Sequence, residues 1–535
     1  MRMNEKQLEE IHGILLEMLD FFANFCKENH LTFFLAYGSC LGAVRHHGFI
    51  PWDDDVDLVM PPEDYCKLRK LWPAQTAKGK FVMCDTTEEY ADHHMTMTIR
   101  NDETTYIHKG DANLNTNHGI MIEIGFFSYY PVSRVAQYRQ TMDAILYAIF
   151  RTQRKPNSGG KLQKMTVNLI LTCVPGKQAR YRIWKHAEKS LLAHRGNEQY
   201  IRNFGQFHTL KRKYPADIFK EAKWVPFENI SLPIPAEYNR YLTLLYGDYM
   251  TPPPPEQQVA PHEIVMLDCF RSYSECLADE ERKEQDALRA HQLEAVAALK
   301  EVDRICKKYN IEYFLIAGST LGAIRHKGVI PWDDDIDLGM TIPNYDKFRK
   351  AVLRELTPPF EWEHTDNIPH FPRLAGNIIK DHVPLLTVFP IVKVSDNLVE
   401  QKYQWAVRKI FSPVYQLKSG NRKQNPSAKK KFAYAVGSLI GLFFTEDSVL
   451  CLLHQNERKY ADRDTEWSIN LYSKYSRKKE MIKNEWISDL ILVPFEDGEF
   501  PVFKAYDAYL KHLYGDYMTP PSKQQRKPQH NDYQL

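Results

Sequence analysis

The sequence predicts a mixed α/β (α+β) fold arranged as two tandem copies of one domain, each a small mixed sheet flanked by helices with helical extensions. Three observations carry this. Residues 31–58, LTFFLAYGSCLGAVRHHGFIPWDDDVDL, return as IEYFLIAGSTLGAIRHKGVIPWDDDIDL at 311–338, with 18 of 28 positions identical. A closing block, YLTLLYGDYMTPP at 241–253, returns as YLKHLYGDYMTPP at 509–521. The landmarks keep their order, so a whole domain is duplicated, and a repeat of this length is an independent domain rather than a solenoid unit. Helical and strand-like patterns also alternate within each copy, which argues against a helical bundle.

Each copy opens with a helical period, Leu8, Ile11, Leu15, Leu16, Leu19 and Phe22 in the first and Leu293, Val296, Leu299, Val302, Ile305 and Cys306 in the second. Short β-type runs follow at 33–36 and 313–316, and an alternating run at 120–126 reads as a further strand. The expected boundaries are 1–255 for the first domain, 256–284 for a linker that begins in prolines and ends in DEERKEQD, 285–525 for the second domain, and 526–535 for a polar tail.

The chain has 535 residues, 43% hydrophobic and 26% charged, enough for packed cores without staples. A net charge of +2 supplies no global field toward nucleic acid or anionic membrane, and no nucleic-acid partner is expected. Nine cysteines without a C-x-x-C pair, several inside apolar helical patterns, read as buried free thiols in a reducing, cytoplasmic setting. The polar first ten residues do not resemble a secretory signal, and the longest apolar run, 432–444, is shorter than a bilayer crossing needs. In each copy a basic stretch precedes apolar residues, 151–164 before 167–174 and 418–431 before 432–444. That pairing suits peripheral contact with a membrane surface, and equally a solvated loop leading into a buried helix.

The chemistry concentrates in Pro51-Trp52-Asp53-Asp54-Asp55-Val56-Asp57-Leu58. Read as a strand, it projects Asp55 and Asp57 to one face with Asp53 near its start. Like charges on one face need a neutraliser, and a hard divalent cation with oxygen ligands, Mg²⁺ or Mn²⁺, is the natural one. A lone acidic run would more simply be a solvated loop. Here, however, Gly38-Ser39 precedes it, a turn suited to phosphate approach, and Arg45 and His46 between them offer groups for phosphate oxygens. Arg45 also suits a structural ion pair with one of the aspartates. Trp52 suits stacking on a base or plain packing, and His46, His47, His93, His94 and His118 match no transition-metal spacing.

The block GSCLGAVRHHGFIPWDDDVDL, together with YGDYMTPP, resembles the LicD family of phosphocholine transferases, related to ribitol-phosphate transferases and sharing the nucleotidyltransferase fold. The resemblance spans nearly all of both copies. It implies a CDP-activated donor, Mg²⁺ or Mn²⁺, and transfer of a phosphoalkyl group to a hydroxyl of a glycan or lipid-linked glycan acceptor, such as a lipopolysaccharide or teichoic acid precursor. It further implies a cytoplasmic protein, peripheral at the inner face of the cell membrane. A third carboxylate from a neighbouring strand is expected, and it falls on Glu123. The implied catalytic and metal-binding set is therefore Asp55, Asp57 and Glu123, with Gly38, Ser39, Arg45 and His46 on phosphate. The second copy carries Gly318, Ser319, Arg325, Asp335 and Asp337 but has Thr387 where the acid belongs, so it is expected to be impaired. Two other functions share the motif: transfer of NMP from an NTP to a small molecule, protein or RNA, and non-catalytic glycan binding.

Overall fold

The computed structural model describes residues 3–76, 79–154, 160–193, 199–203, 212–372, 374–420, 437–473, 475–522, 525, 526 and 528. Most of the second basic-apolar stretch, part of the first, and most of the expected tail lie outside these residues. The chain divides into two compact units, Met1–Glu280 and Glu281–Leu535.

In the first unit the opening helix, Glu5–Glu28, starts at a capping box in which Asn4 and Gln7 satisfy each other's backbone amides. Its predicted face is buried at Leu8, Ile11, Leu15, Leu19 and Phe22. The strands follow as β1 Phe34–Leu35, β2 Asp57–Met60, β3 Phe81–Cys84, β4 Met97–Asn101, β5 Thr105–His108, β6 Met121–Tyr129, β7 Tyr200–Asn203, β8 Tyr214–Pro215, β9 Ala222–Phe227, β10 Ile230–Pro235 and β11 Ile264–Asp268. A mixed sheet runs β1-β2-β6-β4-β3, with β7 added beside β6 and β8 beside β7. Only β2 and β6 are parallel within it; the other pairs are antiparallel. Ile122 and Ile124 on β6 and Leu58 and Met60 on β2 are buried in the core, so the central parallel pair is anchored by packing.

The second unit repeats the topology of the seven-stranded sheet and of the β9–β10 hairpin, with no counterpart of the β5–β11 pair among its described strands. Its strands are β12 Phe314–Leu315, β13 Ile336–Thr341, β14 Glu361–Glu363, β15 Gly376–Lys380, β16 Val383–Val394, β17 Trp467–Asn470, β18 Met481–Lys483, β19 Leu490–Phe495 and β20 Gly498–Phe503. The sheet order is β12-β13-β16-β15-β14, again with one parallel pair, β13 and β16, and with β17 and β18 added beside β16. Val296, Leu299, Val302, Ile305 and Cys306 of its opening helix are buried as the period predicts, whereas Leu293 is exposed.

Two expectations of local structure change. The stretch 256–284 is not a bare linker: β11 pairs antiparallel with β5 inside the first unit, and the helix Tyr273–Tyr309 already begins there. Composition misled because the short run Ile264–Asp268 sits between proline-rich and charged segments that dominate the average. The acidic run is also not a strand throughout, since β2 starts only at Asp57 and residues 53–56 lead into it.

Among the described residues no single helix is long and apolar enough to cross a membrane; the segments Gly437–Phe443 and Glu446–Arg458 reach that length only together, across a 102° bend. No disulfide joins the nine cysteines; Cys26 and Cys306 are buried free thiols, as their helical patterns predict, and Cys66 is half-buried.

Candidate active site

Asp57 begins β2 and stands in register opposite Glu123 on parallel β6. The Glu123 amide donates to the Val56 carbonyl at 2.8 Å, and Thr96 Oγ1 donates to Glu123 Oε2 at 2.9 Å, which fixes the longer glutamate arm. Ser39 lies in the first turn of the helix Tyr37–Arg45 rather than in a free turn, and its Oγ accepts the Asp57 amide at 2.9 Å. That bond ties the start of β2 to the helix, and the hydroxyl keeps its proton to donate. Gly38 makes room for Asp53, since a Cβ there would stand 2.7 Å from Asp53 Oδ2. The carboxylate thus sits against the helix N-terminus, where the backbone dipole favours negative charge.

The four aspartates and Glu123 form one electrostatic cluster. Burial, then Asp53, pushes the Asp55 carboxyl well above the ordinary carboxylate range. Burial, then Asp55 and Glu123, does the same to Asp57. Asp53 is pushed up to about 6 by burial and by Asp54. Such a cluster resists full ionisation without a bound cation.

Asp54 has a separate set of partners. Its Oδ1 lies 2.8 Å from His262 Nδ1, and its Oδ2 accepts the Tyr106 hydroxyl at 2.9 Å. The hydrogen bond to Asp54 raises the His262 imidazole to about 9, so it carries a proton near neutrality. His262 stacks on His108 with 4.8 Å between ring centroids. Asp54, Asp55 and His262 are the residues of this unit, among those described, whose ligand atoms all fall within 4.8 Å of one another. Beside them opens a cavity of about 470 Å³ lined by Asp54, Asp55, Asp111 and Glu123 and by His262 and Arg154. The His108 ring, also on its wall, is kept neutral because burial and then His262 lower its pKa to about 4.

Sequence reasoning missed His262 and Tyr106, which reach Asp54 from 208 and 52 residues away, and gave Asp54 no definite role. Two other predicted site residues lie elsewhere. Arg45 Nη1 donates to the Tyr249 carbonyl at 2.9 Å, locking the helix to the closing YGDYMTPP segment; it pairs with no aspartate among the described residues. His46 stands edge-on to Trp52 at 5.9 Å, and burial lowers its pKa. Neither lines the acidic cavity.

The second unit reproduces the scaffold and changes the acid. The Asp337 amide donates to Ser319 Oγ at 2.8 Å, a Cβ on Gly318 would stand 2.8 Å from Asp333 Oδ2, and Arg325 Nη1 donates to the Tyr517 carbonyl at 2.6 Å. Asp333, Asp334 and Asp335 bring ligand atoms within 4.8 Å of one another, and Asp335 and Asp337 both line a cavity. Opposite Asp337, however, the register places Thr387, whose Oγ1 lies 3.2 Å from Asn377 Oδ1. Asp381 sits in the turn between β15 and β16, off that register position.

Comparison with known proteins agrees with this architecture. The model of the LicD/FKTN/FKRP nucleotidyltransferase domain matches residues 30–144 and again 310–410, so each unit is a nucleotidyltransferase-type domain of the phosphate-transferring class. The chain is 27% identical over 261 residues to the lipopolysaccharide cholinephosphotransferase LicD of Haemophilus influenzae, covering 45% of this chain and 96% of that protein. Over 111 residues it is 32% identical to the ribitol 5-phosphate transferase FKRP of Homo sapiens, covering 16% of this chain and 22% of that protein. Each unit thus contains a LicD-type nucleotidyltransferase domain, and two such domains stand in tandem.

Proposed function

We propose that the first unit transfers a phosphoalkyl group, phosphocholine or a polyol phosphate, from a CDP-activated donor to a hydroxyl of a cell-surface glycan, lipopolysaccharide or teichoic acid precursor. The observation that carries the reading is the register of Asp57 against Glu123, with Asp55 beside them on the wall of a cavity. The relatives named for cholinephosphate and ribitol 5-phosphate transfer support the class of group moved.

The residues fit Mg²⁺ or Mn²⁺. Asp55 and Asp57, pushed above the ordinary carboxylate range by burial and then by neighbouring carboxylates, and Glu123 in register with Asp57 make an all-oxygen set that suits a hard divalent cation. Of the three, Asp55 belongs to the cluster whose ligand atoms already fall within 4.8 Å of one another. Asp55, Asp57 and Glu123 would hold it. Bound there, such an ion screens the donor diphosphate and favours ionisation of the acceptor hydroxyl. Everything else is positioning by the chain. Ser39 and Thr96 fix Asp57 and Glu123, while Tyr106 and His262 fix Asp54 one layer out, as outer groups do around metal ligands. Arg154 and the protonated His262 give the cavity cationic groups for phosphate oxygens, Arg154 while also paired with Asp111. The acceptor oxygen bonds to the distal phosphorus, the bond from that phosphorus to the bridging oxygen breaks, and CMP leaves.

The same reading places the protein in the cytoplasm, in contact with the inner membrane face where lipid-linked acceptors lie. Met165 and Leu169, exposed on the helix Lys161–Cys173, support it. Liposome flotation at low salt checks that contact, and absence of retention removes it. For the reaction, the full chain is incubated with CDP-choline or CDP-ribitol, Mg²⁺ and a glycan acceptor. Release of CMP with phosphocholine or ribitol phosphate on the acceptor is expected. Incorporation of NMP from labelled NTPs instead would replace this reading with nucleotidyl transfer.

A further inference from the structure

The second unit contains a cavity of about 530 Å³ lined by Asp335, Asp337 and Thr387 and, from the helix Leu398–Lys418, by Arg408 and Ser412. Arg408 and Ser412 are one turn apart and share a helix face. The Arg408 guanidinium lies over the Trp405 and Tyr472 rings at 5.9 and 5.7 Å. Its buried Nε has no hydrogen-bond partner among the described residues, and neither has Ser412 Oγ. Glu480, which lines the cavity beside the aspartates, accepts from Ser473 Oγ and acts on Arg408 through its charge without a hydrogen bond to Nε.

The first unit shows what is unusual here. Its corresponding helix, Arg134–Thr152, follows β6 as Leu398–Lys418 follows β16, and the two helices start 264 residues apart (398 − 134). That offset also maps Glu123 onto Thr387 (387 − 123). It places Ala144 at Arg408 and Ala148 at Ser412, both fully buried. The second unit has therefore lost an acid from the strand and gained a cation on the facing helix. The one buried arginine of the first unit's helix, Arg151, is by contrast saturated by Asp85 and by the carbonyls of His94 and Thr96. A buried guanidinium Nε and a buried hydroxyl left without partners on a cavity wall cost free energy unless a ligand completes them.

We propose that the second unit is a binding site for an organic diphosphate of the nucleoside diphosphate class, gripped by Arg408 and Ser412, and not a second reaction centre. The guanidinium fork matches phosphate oxygens, and Ser412 Oγ adds a donor beside it. Asp335 and Asp337 retain a pole for one divalent cation on the second phosphate, while Thr387 removes the acid that a second cation would need. A cavity of this volume is of the size that holds a nucleotide. The proposal does not depend on transfer by the first unit.

The test uses the full chain carrying Asp55→Asn and Asp57→Asn, titrated calorimetrically with CDP in the presence of Mg²⁺. At least one CDP site is expected to persist, its affinity falling at least about tenfold on adding Arg408→Ala, several-fold with Ser412→Ala, and less with Arg408→Lys than with Arg408→Ala. Inorganic pyrophosphate in place of CDP is expected to show the same dependence on Arg408 at lower affinity. Thermal melts of each variant identify any that fail to fold, and Ser412→Ala decides if Arg408→Ala does. The proposal is overturned if the Asp55→Asn, Asp57→Asn chain binds no CDP, or if folded variants at both helix positions bind it as tightly as their parent. Failure of group transfer in the intact chain leaves these binding results unaltered, so the two readings fail separately.

Discussion

Asp57 and Glu123 are register partners across the parallel strands β2 and β6, and the identical register in the second unit sets Asp337 against Thr387. The chain thus contains its own substitution experiment. Glu123→Thr should weaken Mn²⁺ or Mg²⁺ binding by the first unit at least about tenfold, as expected for removing a group from a metal's immediate surroundings. It should also abolish CMP release. Thr387→Glu should strengthen cation binding by the second unit, because Asp335 and Asp337 are already in place. Calorimetric titration of both full-length variants measures this; equal affinity before and after either change would remove the asymmetry between the units.

His262 makes stability depend on pH. Its folded pKa of about 9 lies above the ordinary 6.5, chiefly through the hydrogen bond to Asp54. A raised pKa contributes stability that is fully present below about 6.5 and is lost as pH rises through about 9. The imidazole is 40% exposed, so solvent screening holds the contribution to about 1 kcal/mol. Melts of the cation-free protein between pH 6 and pH 10 should show His262→Gln flattening the slope across that window. An unchanged slope would mean that the ion pair is not formed in solution.

Arg45 is expected to act on stability through the closing segment. Its guanidinium donates to the Tyr249 carbonyl, and Arg325 does the same with Tyr517 in the second unit, so the role recurs with the repeat. Arg45→Ala should cost roughly 1.5–3 kcal/mol, the usual worth of a hydrogen bond from a charged donor. Denaturant titration checks this. A loss of donor affinity with no loss of stability would return Arg45 to the phosphate contacts predicted from the sequence.

The residues that were legible in the sequence are those governed by local pattern. The buried faces of both opening helices and the strand containing Glu123 follow from apolar periodicity, while the equivalence of Glu123 with Thr387 came from the family resemblance and matches the register of both sheets. What was not legible depends on long-range placement. Nothing near His262 marks it as a partner of Asp54 across 208 residues, because the approach is created by β11 pairing with β5. Ser39 and Arg45 were read by their chemical reach toward phosphate; the fold sets Ser39 Oγ to accept the Asp57 amide, with its proton left to donate, and turns Arg45 to the Tyr249 carbonyl. Hydroxyl and guanidinium groups have equal aptitude for both partners, and only the fold chooses.

Gly38 shows how closely the acid cluster is fitted to the backbone. A Cβ at this position would stand 2.7 Å from Asp53 Oδ2, inside van der Waals contact, and the same holds for Gly318 and Asp333 at 2.8 Å. Gly38→Ala must therefore push the Asp53 carboxylate away from the helix N-terminus, at a cost of up to about 1–3 kcal/mol from overpacking, offset by the roughly 1 kcal/mol that alanine gains over glycine inside a helix. Because the clash is with one carboxylate oxygen, Asp53→Ala should relieve it. The double variant should then be more stable than the sum of the two single changes predicts, giving a coupling of roughly 1 kcal/mol or more for residues in direct contact. Chemical denaturation of the four proteins in the cycle measures it. Strict additivity would show that the glycine is required by something other than Asp53.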